Sequence, residues 1–191
     1  MTYGEAKQLL SIHVKDKFLL YHCFETACIM SVLAKHFGED EERWAVAGLL
    51  HDIDFEKVKE IGDIKKHCVL CVDILRDAGV DDEMIETIVS HAWGTDCDGA
   101  KDKVRSTKFQ HALAAAETIT GLIVACSLVM PDKKLASVKP ESVLKKFKQP
   151  AFAAKVPREI IDECEKIGFT REQFVEISLR AMQENAAEFG L

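Results

Sequence analysis

The sequence predicts an all-α, single-domain helical bundle. Apolar residues recur at three- and four-residue intervals along nearly all of the 191-residue chain, and its four prolines (131, 140, 150 and 157) fall in the last third. Helix punctuation agrees: Gly38 and Gly79 close apolar segments, and Thr170 with Gln173 makes a capping-box start. At 48% hydrophobic the chain can bury one substantial core. Its length calls for one domain over residues 1–191, with a core of about 15–130 and a helical extension of about 131–191.

In order, Gly4–Ser11 is a short opening helix. Asp16–Phe37 is a long one whose Leu19, Cys23, Thr26, Met30 and Leu33 form an inward stripe, with His22 beside it. Asp40–His51 follows, acidic in its first turn as the helix dipole favours, with Trp44, Ala47 and Leu50 facing in. It delivers His51 and Asp52 at its C-terminal end. Adjacent helical residues point about 100° apart, so both reach one ion only where the helix is ending or the ion lies between helices. Ile64–Ala78 carries His67 and Asp82–Ala92 carries His91. Thr107–Val129 is Ala-rich, and its small residues let neighbouring helices come close around Glu117. A basic segment and helices near Pro157–Ile167 and Thr170–Ala187 complete the chain.

Composition narrows the function classes. The net charge of -7 and pI near 5.5 argue against nucleic acid or an anionic membrane as the main partner, since such surfaces require clustered Lys and Arg. Seven cysteines without a signal peptide read as the reduced thiols of a cytoplasmic protein. Stretches such as Ile119–Met130 are too polar and short for a membrane span. A small ligand is the expected partner.

The chemistry concentrates in His22, His51-Asp52, His67, His91 and Glu117, spread over five helices. That is what a metal site inside a helical bundle requires, because each helix contributes one or two inward side chains. The donors are imidazole and carboxylate, which suit one or two Mn, Fe, Zn, Co or Ni ions better than a thiolate-selective metal.

His22, His51-Asp52 and the acid within Ala115-Ala116-Glu117-Thr118-Ile119-Thr120-Gly121 resemble the H…HD…D signature of the HD-domain superfamily of metal-dependent phosphohydrolases. Leu49-Leu50-His51-Asp52-Ile53-Asp54, Thr120-Gly121-Leu122-Ile123-Val124-Ala125, and Ser142–Lys148 with Phe152-Ala153 are similar to the small HDIG-type members over nearly the full chain. The chain departs from the signature in carrying Glu117 where the family usually has Asp. The resemblance implies that one ion takes His22, His51, Asp52 and Glu117, and a second takes Asp52, His67 and His91, with Asp52 bridging. His51 and Asp52 are then catalytic. Two ions roughly 3.5–4 Å apart bind phosphoryl oxygens and lower the pKa of a bound water, so the implied reaction is hydrolysis of a phosphoester of a small phosphorylated metabolite or nucleotide. The same scaffold elsewhere supports a di-iron oxygenase, and a third class retains the fold as a non-catalytic binding module.

Other features have blander readings. Cys68-Val69-Leu70-Cys71 is a CxxC placed mid-helix, with no second CxxC, and reads as small apolar packing. Asp54 either orients a ligand or caps the turn, the second being preferred. Asp96 and Asp98 read as a solvated turn, and His13, His36 and His111 as surface or structural histidines. Lys145, Lys146 and Lys148 with Arg158 form either a solvated helix face, as such runs usually do, or a clamp for substrate phosphate.

Overall fold

The computed structural model describes residues 1–101 and 103–186, so Ala187, the expected end of the last helix, and the rest of 187–191 lie outside the described residues. Among the described residues all regular structure is helical. The α-helices are α1 (Tyr3–His13), α2 (Lys17–Phe37), α3 (Glu41–Leu50), α4 (Phe55–Ile61), α5 (Leu70–Asp77), α6 (Asp82–Ser90), α7 (Lys108–Leu128), α8 (Pro140–Phe147), α9 (Arg158–Ile161) and α10 (Arg171–Glu184). Single 3-10 segments lie at Ile64–Lys66, Leu135–Ser137 and Asp162–Ile167.

The helix starts follow the local chemistry. Thr2, Thr107 and Thr170 close capping boxes with Glu5, Gln110 and Gln173, and Asp16, Asp40 and Asp81 accept amide hydrogens at the starts of α2, α3 and α6. Gly38 and Gly62 stop α2 and α4 in the left-handed conformation that a Cβ disfavours.

The core has two parts. One joins α1, the first half of α2, α3, α5 and α6 around Leu10, Leu49, Leu50, Leu75 and Ile88. The other surrounds α7 with the second half of α2 and the C-terminal helices, centred on Leu33, Leu113, Ile119 and Phe174. Phe109 touches both. The helices α2 and α3 pack closely at Gly48, where an added Cβ would meet the Cα and N of Ala27 at 2.9 Å. Gly48 thus sets how near His51, one turn later, comes to α2.

Two expectations need correction here. The apolar pattern of 64–78 is not one helix: a 3-10 turn ends at Lys66, His67 is its cap, Cys68 takes φ 61°, and α5 begins only at Leu70. The backbone bends at that point so that the His67 and Cys68 side chains turn inward together. The second concerns length. α2 and α7 are each 21 residues, long and apolar enough to cross a membrane, because the helix around Ile119 extends well N-terminal of the stretch that looked too short. Within the fold 72% of the most apolar stretch of α7 is buried, as for the central helix of a bundle.

Candidate metal centre

His22, His51, Asp52, His67, His91 and Glu117 converge where the ends of α3 and α6 meet α2 and α7. His51 Nε2 lies 3.0 Å from His22 Nε2, and His67 Nε2 lies 3.0 Å from His91 Nε2. Asp52 stands between the pairs. Its Oδ2 is 3.7 Å from both His22 Nε2 and His51 Nε2, and its Oδ1 is 3.3 Å from His67 Nε2 and 3.5 Å from His91 Nε2. Glu117 Oε2 closes the first group at 4.0 Å from His22 Nε2.

What holds each imidazole fixes its tautomer. His51 Nδ1 donates to the Gly48 carbonyl at 2.8 Å and His91 Nδ1 to the Ile88 carbonyl at 2.6 Å, since a carbonyl only accepts. His67 Nδ1 donates to Asp54 Oδ1 at 2.8 Å. The Thr120 hydroxyl donates to the Glu117 carbonyl, so its oxygen accepts from His22 Nδ1 at 2.9 Å. With every Nδ1 carrying a hydrogen, all four Nε2 lone pairs point inward. Two such lone pairs 3.0 Å apart repel unless a proton or cation lies between them. Converging lone pairs around a carboxylate are the donor set of a divalent transition metal, and the residues fit one.

Burial and Asp52 shift His51 and His91 in opposite directions. Burial holds His51 down at about 3, so its imidazole is neutral and free to donate a lone pair. Burial alone would raise Asp52, but the imidazoles of His51, His91, His67 and His22 hold its carboxyl well below the usual range. Burial also disfavours charge on His91, yet Asp52 beside it more than offsets this and shifts it up. Glu117 is raised by burial, against the pull of His91, His22 and the Thr118 hydroxyl that donates to it.

Several supporting residues lie outside the sequence expectations. Asp54 does not cap α4, which has no side-chain cap bond; it is fully buried, with Oδ1 on His67 and Oδ2 accepting the Cys71 amide at 3.0 Å. Its place two residues after Asp52 was the available signal. Cys68 is buried in the apolar core as expected, and its Sγ also lies 3.5 Å from His67 Nε2 and 3.8 Å from both ring nitrogens of His91. Arg105 donates to the carbonyls of Ser90, His91 and Trp93 and pairs with both oxygens of Glu163, which also accepts from His111 Nδ1 at 2.6 Å. Nothing local in the sequence marks Arg105, because its partners lie 12 to 58 residues away.

Within the basic cluster, Arg158 and Lys146 have partners close by. Arg158 donates its guanidinium hydrogens to the carbonyls of Phe147, Phe152, Ala153 and Val156 and so shapes that loop. Lys146 lies over the Phe152 ring and donates to Gln149, while Lys145 and Lys148 are exposed. Burial raises the thiol of Cys126, against the pull of Lys146 and Arg158, at a point nine residues beyond Glu117 on α7. That is about 13 Å along the helix axis.

Comparison with known proteins places this geometry. A family model described as HD domain matches residues 19–121, more than half of the chain. Over 106 residues the chain is 33% identical to Ribonuclease Y of Mycoplasma mycoides, a match covering 53% of this chain and 22% of that relative's length. No solved structure matches. The matched segment runs from α2 to the turn after Glu117 and contains all six converging residues, and on that match the chain belongs to the HD-domain family.

Proposed function

We propose that the protein is a cytoplasmic, metal-dependent phosphohydrolase that cleaves a phosphoester of a small phosphorylated metabolite or nucleotide. His22, His51, Asp52 and Glu117 would hold one divalent ion, and Asp52, His67 and His91 a second. The observation that carries this reading is the division of the Asp52 carboxylate, with Oδ2 equidistant from one imidazole pair at 3.7 Å and Oδ1 facing the other at 3.3 and 3.5 Å. A carboxylate between two ions uses its oxygens in that way.

Bound there, divalent ions polarise a phosphoryl oxygen and lower the pKa of a coordinated water. The chain's own part is to hold lone pairs in place and to leave one side open. The Gly48 and Ile88 carbonyls, Asp54 and Thr120 keep four imidazoles in one tautomer. The His51 side chain is 0% exposed, whereas those of His22 and Glu117 are 27% and 20% exposed, so substrate approaches along the edge formed by α2 and α7. Val156 overhangs that edge, its Cγ2 being 3.2 Å from where a Cβ on Gly121 would stand, one turn beyond Glu117.

Family membership and the 33% identity to a ribonuclease support phosphoester hydrolysis as the reaction class. The relative's name adds an RNA phosphodiester to the substrates worth testing, while the net charge of -7 supports a small anion over a polyanion. The seven free cysteines support a reducing compartment.

The test is metal analysis of reconstituted protein together with phosphate release from phosphorylated metabolites and nucleotides, a short RNA being the comparison. His51→Ala is expected to lose both metal and activity; unchanged metal content in that variant would overturn the reading. Glu117→Asp should keep bound metal and Glu117→Ala should lower it. Dioxygen consumption by the iron-loaded protein without phosphate release would favour the oxygenase class instead.

A further inference from the structure

Cys68 occupies the left-handed region at φ 61°, a conformation costing a residue with a Cβ about 1–2 kcal/mol relative to the right-handed one. The residue is buried, and its Sγ lies 3.5 Å from His67 Nε2 and 3.8 Å from both ring nitrogens of His91, while the two Nε2 atoms are themselves 3.0 Å apart. A tetrahedral zinc site has Zn–N bonds of about 2.0–2.1 Å and Zn–S of about 2.3 Å, which gives N–S edges of about 3.6 Å and N–N edges of about 3.3 Å. The observed edges of 3.5, 3.8 and 3.0 Å fall within about 0.3 Å of that triangle.

Packing and the grip of Asp54 on His67 and the Cys71 amide account for the bend, but not for a thiol set against converging imidazole nitrogens. A thiol hydrogen bond accounts for only part of it. One S–H serves one nitrogen, and the second lone pair is left facing the first across 3.0 Å. A single cation relieves all three donors.

We propose that Cys68, with His67, His91 and the Oδ1 side of Asp52, is a ligand of the second ion in the centre inferred above. That half of the centre is then a thiolate-containing site selecting Zn(II), Co(II) or Fe(II) over Mn(II) or Mg(II), while the half at His22, His51 and Glu117 keeps only imidazole and carboxylate. The thiol gives up its proton as the ion binds. The proposal rests on the metal-centre reading and adds a ligand that neither the composition nor the HD signature carries.

The experiment is cobalt substitution of the reduced, full-length protein under anaerobic conditions. The wild type and Cys71→Ala are expected to show near-ultraviolet sulfur-to-cobalt charge-transfer absorption, and Cys68→Gly to lose it while keeping visible cobalt bands from the imidazole and carboxylate half. Glycine is the chosen replacement because it adopts φ 61° freely, so the thiol is removed without new strain; circular dichroism and thermal melting check the fold. Zinc retention against a chelator should fall about tenfold or more in Cys68→Gly, at least what loss of an outer partner costs. Visible cobalt bands in the wild type without charge transfer would overturn ligation by Cys68 and leave the metal centre standing. The same holds for a charge-transfer band that survives in Cys68→Gly. A wild-type protein that binds no cobalt overturns both readings.

Discussion

Asp54 grips His67 at 2.8 Å through one carboxylate oxygen and the Cys71 amide at 3.0 Å through the other, with its side chain fully buried. One residue therefore sets both the ring orientation of a candidate ligand and the start of α5. Asp54→Asn keeps the volume but turns one of the two acceptors into a donor. Metal affinity at the His67 side is expected to fall about 10–100-fold, measured by competition with a chromophoric chelator. Unchanged affinity would show that His67 needs no partner.

Gly48 sits against the backbone of Ala27, where an added Cβ would be 2.9 Å from two of its main-chain atoms. Alanine favours helices, yet here it would push α3 from α2 and His51 from His22. Gly48→Ala should lower stability by about 1–3 kcal/mol in denaturant unfolding, the usual cost of overpacking. Stabilisation would mean that the helices separate freely.

Glu163 balances a nearly buried Arg105 side chain, 6% exposed, through bonds of 2.6 and 2.8 Å, and takes a third bond from His111. Removing its charge leaves a guanidinium without its counter-ion beside the carbonyls of Ser90, His91 and Trp93. Glu163→Gln should therefore cost about 3–5 kcal/mol and weaken metal binding at His91. Denaturant melts with and without zinc separate the two effects.

Glu25 is 3% exposed, and burial raises its carboxyl from 4.5 to about 8. Between those values the unfolded chain releases a proton that the folded chain keeps. The associated stability is present below pH 4.5, declines as pH rises toward about 8, and is flat beyond. Glu25→Gln should gain little at pH 4.5 and a few kcal/mol at pH 8, relative to the parent. Parallel melts over that range check it, and a pH-independent difference would place the carboxylate in water.

The all-helical architecture was legible because caps and apolar spacing are local. Asp16, Asp40, Thr107 and Thr170 all mark true helix starts. The break within 64–78 was not, because its apolar spacing suits one continuous helix and the bend is held from outside, by Asp54 on His67 and on the Cys71 amide. The partners of Arg158 were illegible for a related reason: a basic side chain looks free in sequence whether or not backbone carbonyls have claimed it.

The sequence by itself determined the family, the all-helical architecture and the residue types at the centre, since the spacing of His22, His51-Asp52 and Glu117 is written in one dimension. Only the tertiary structure decided which oxygen of Asp52 faces which imidazoles, that Asp54 supports a ring, and that Cys68 joins His67 and His91. Those outcomes depend on how closely α3 approaches α2 at Gly48 and on a single left-handed residue before α5. Both are set by contacts between segments distant in sequence, and apolar periodicity carries no record of them.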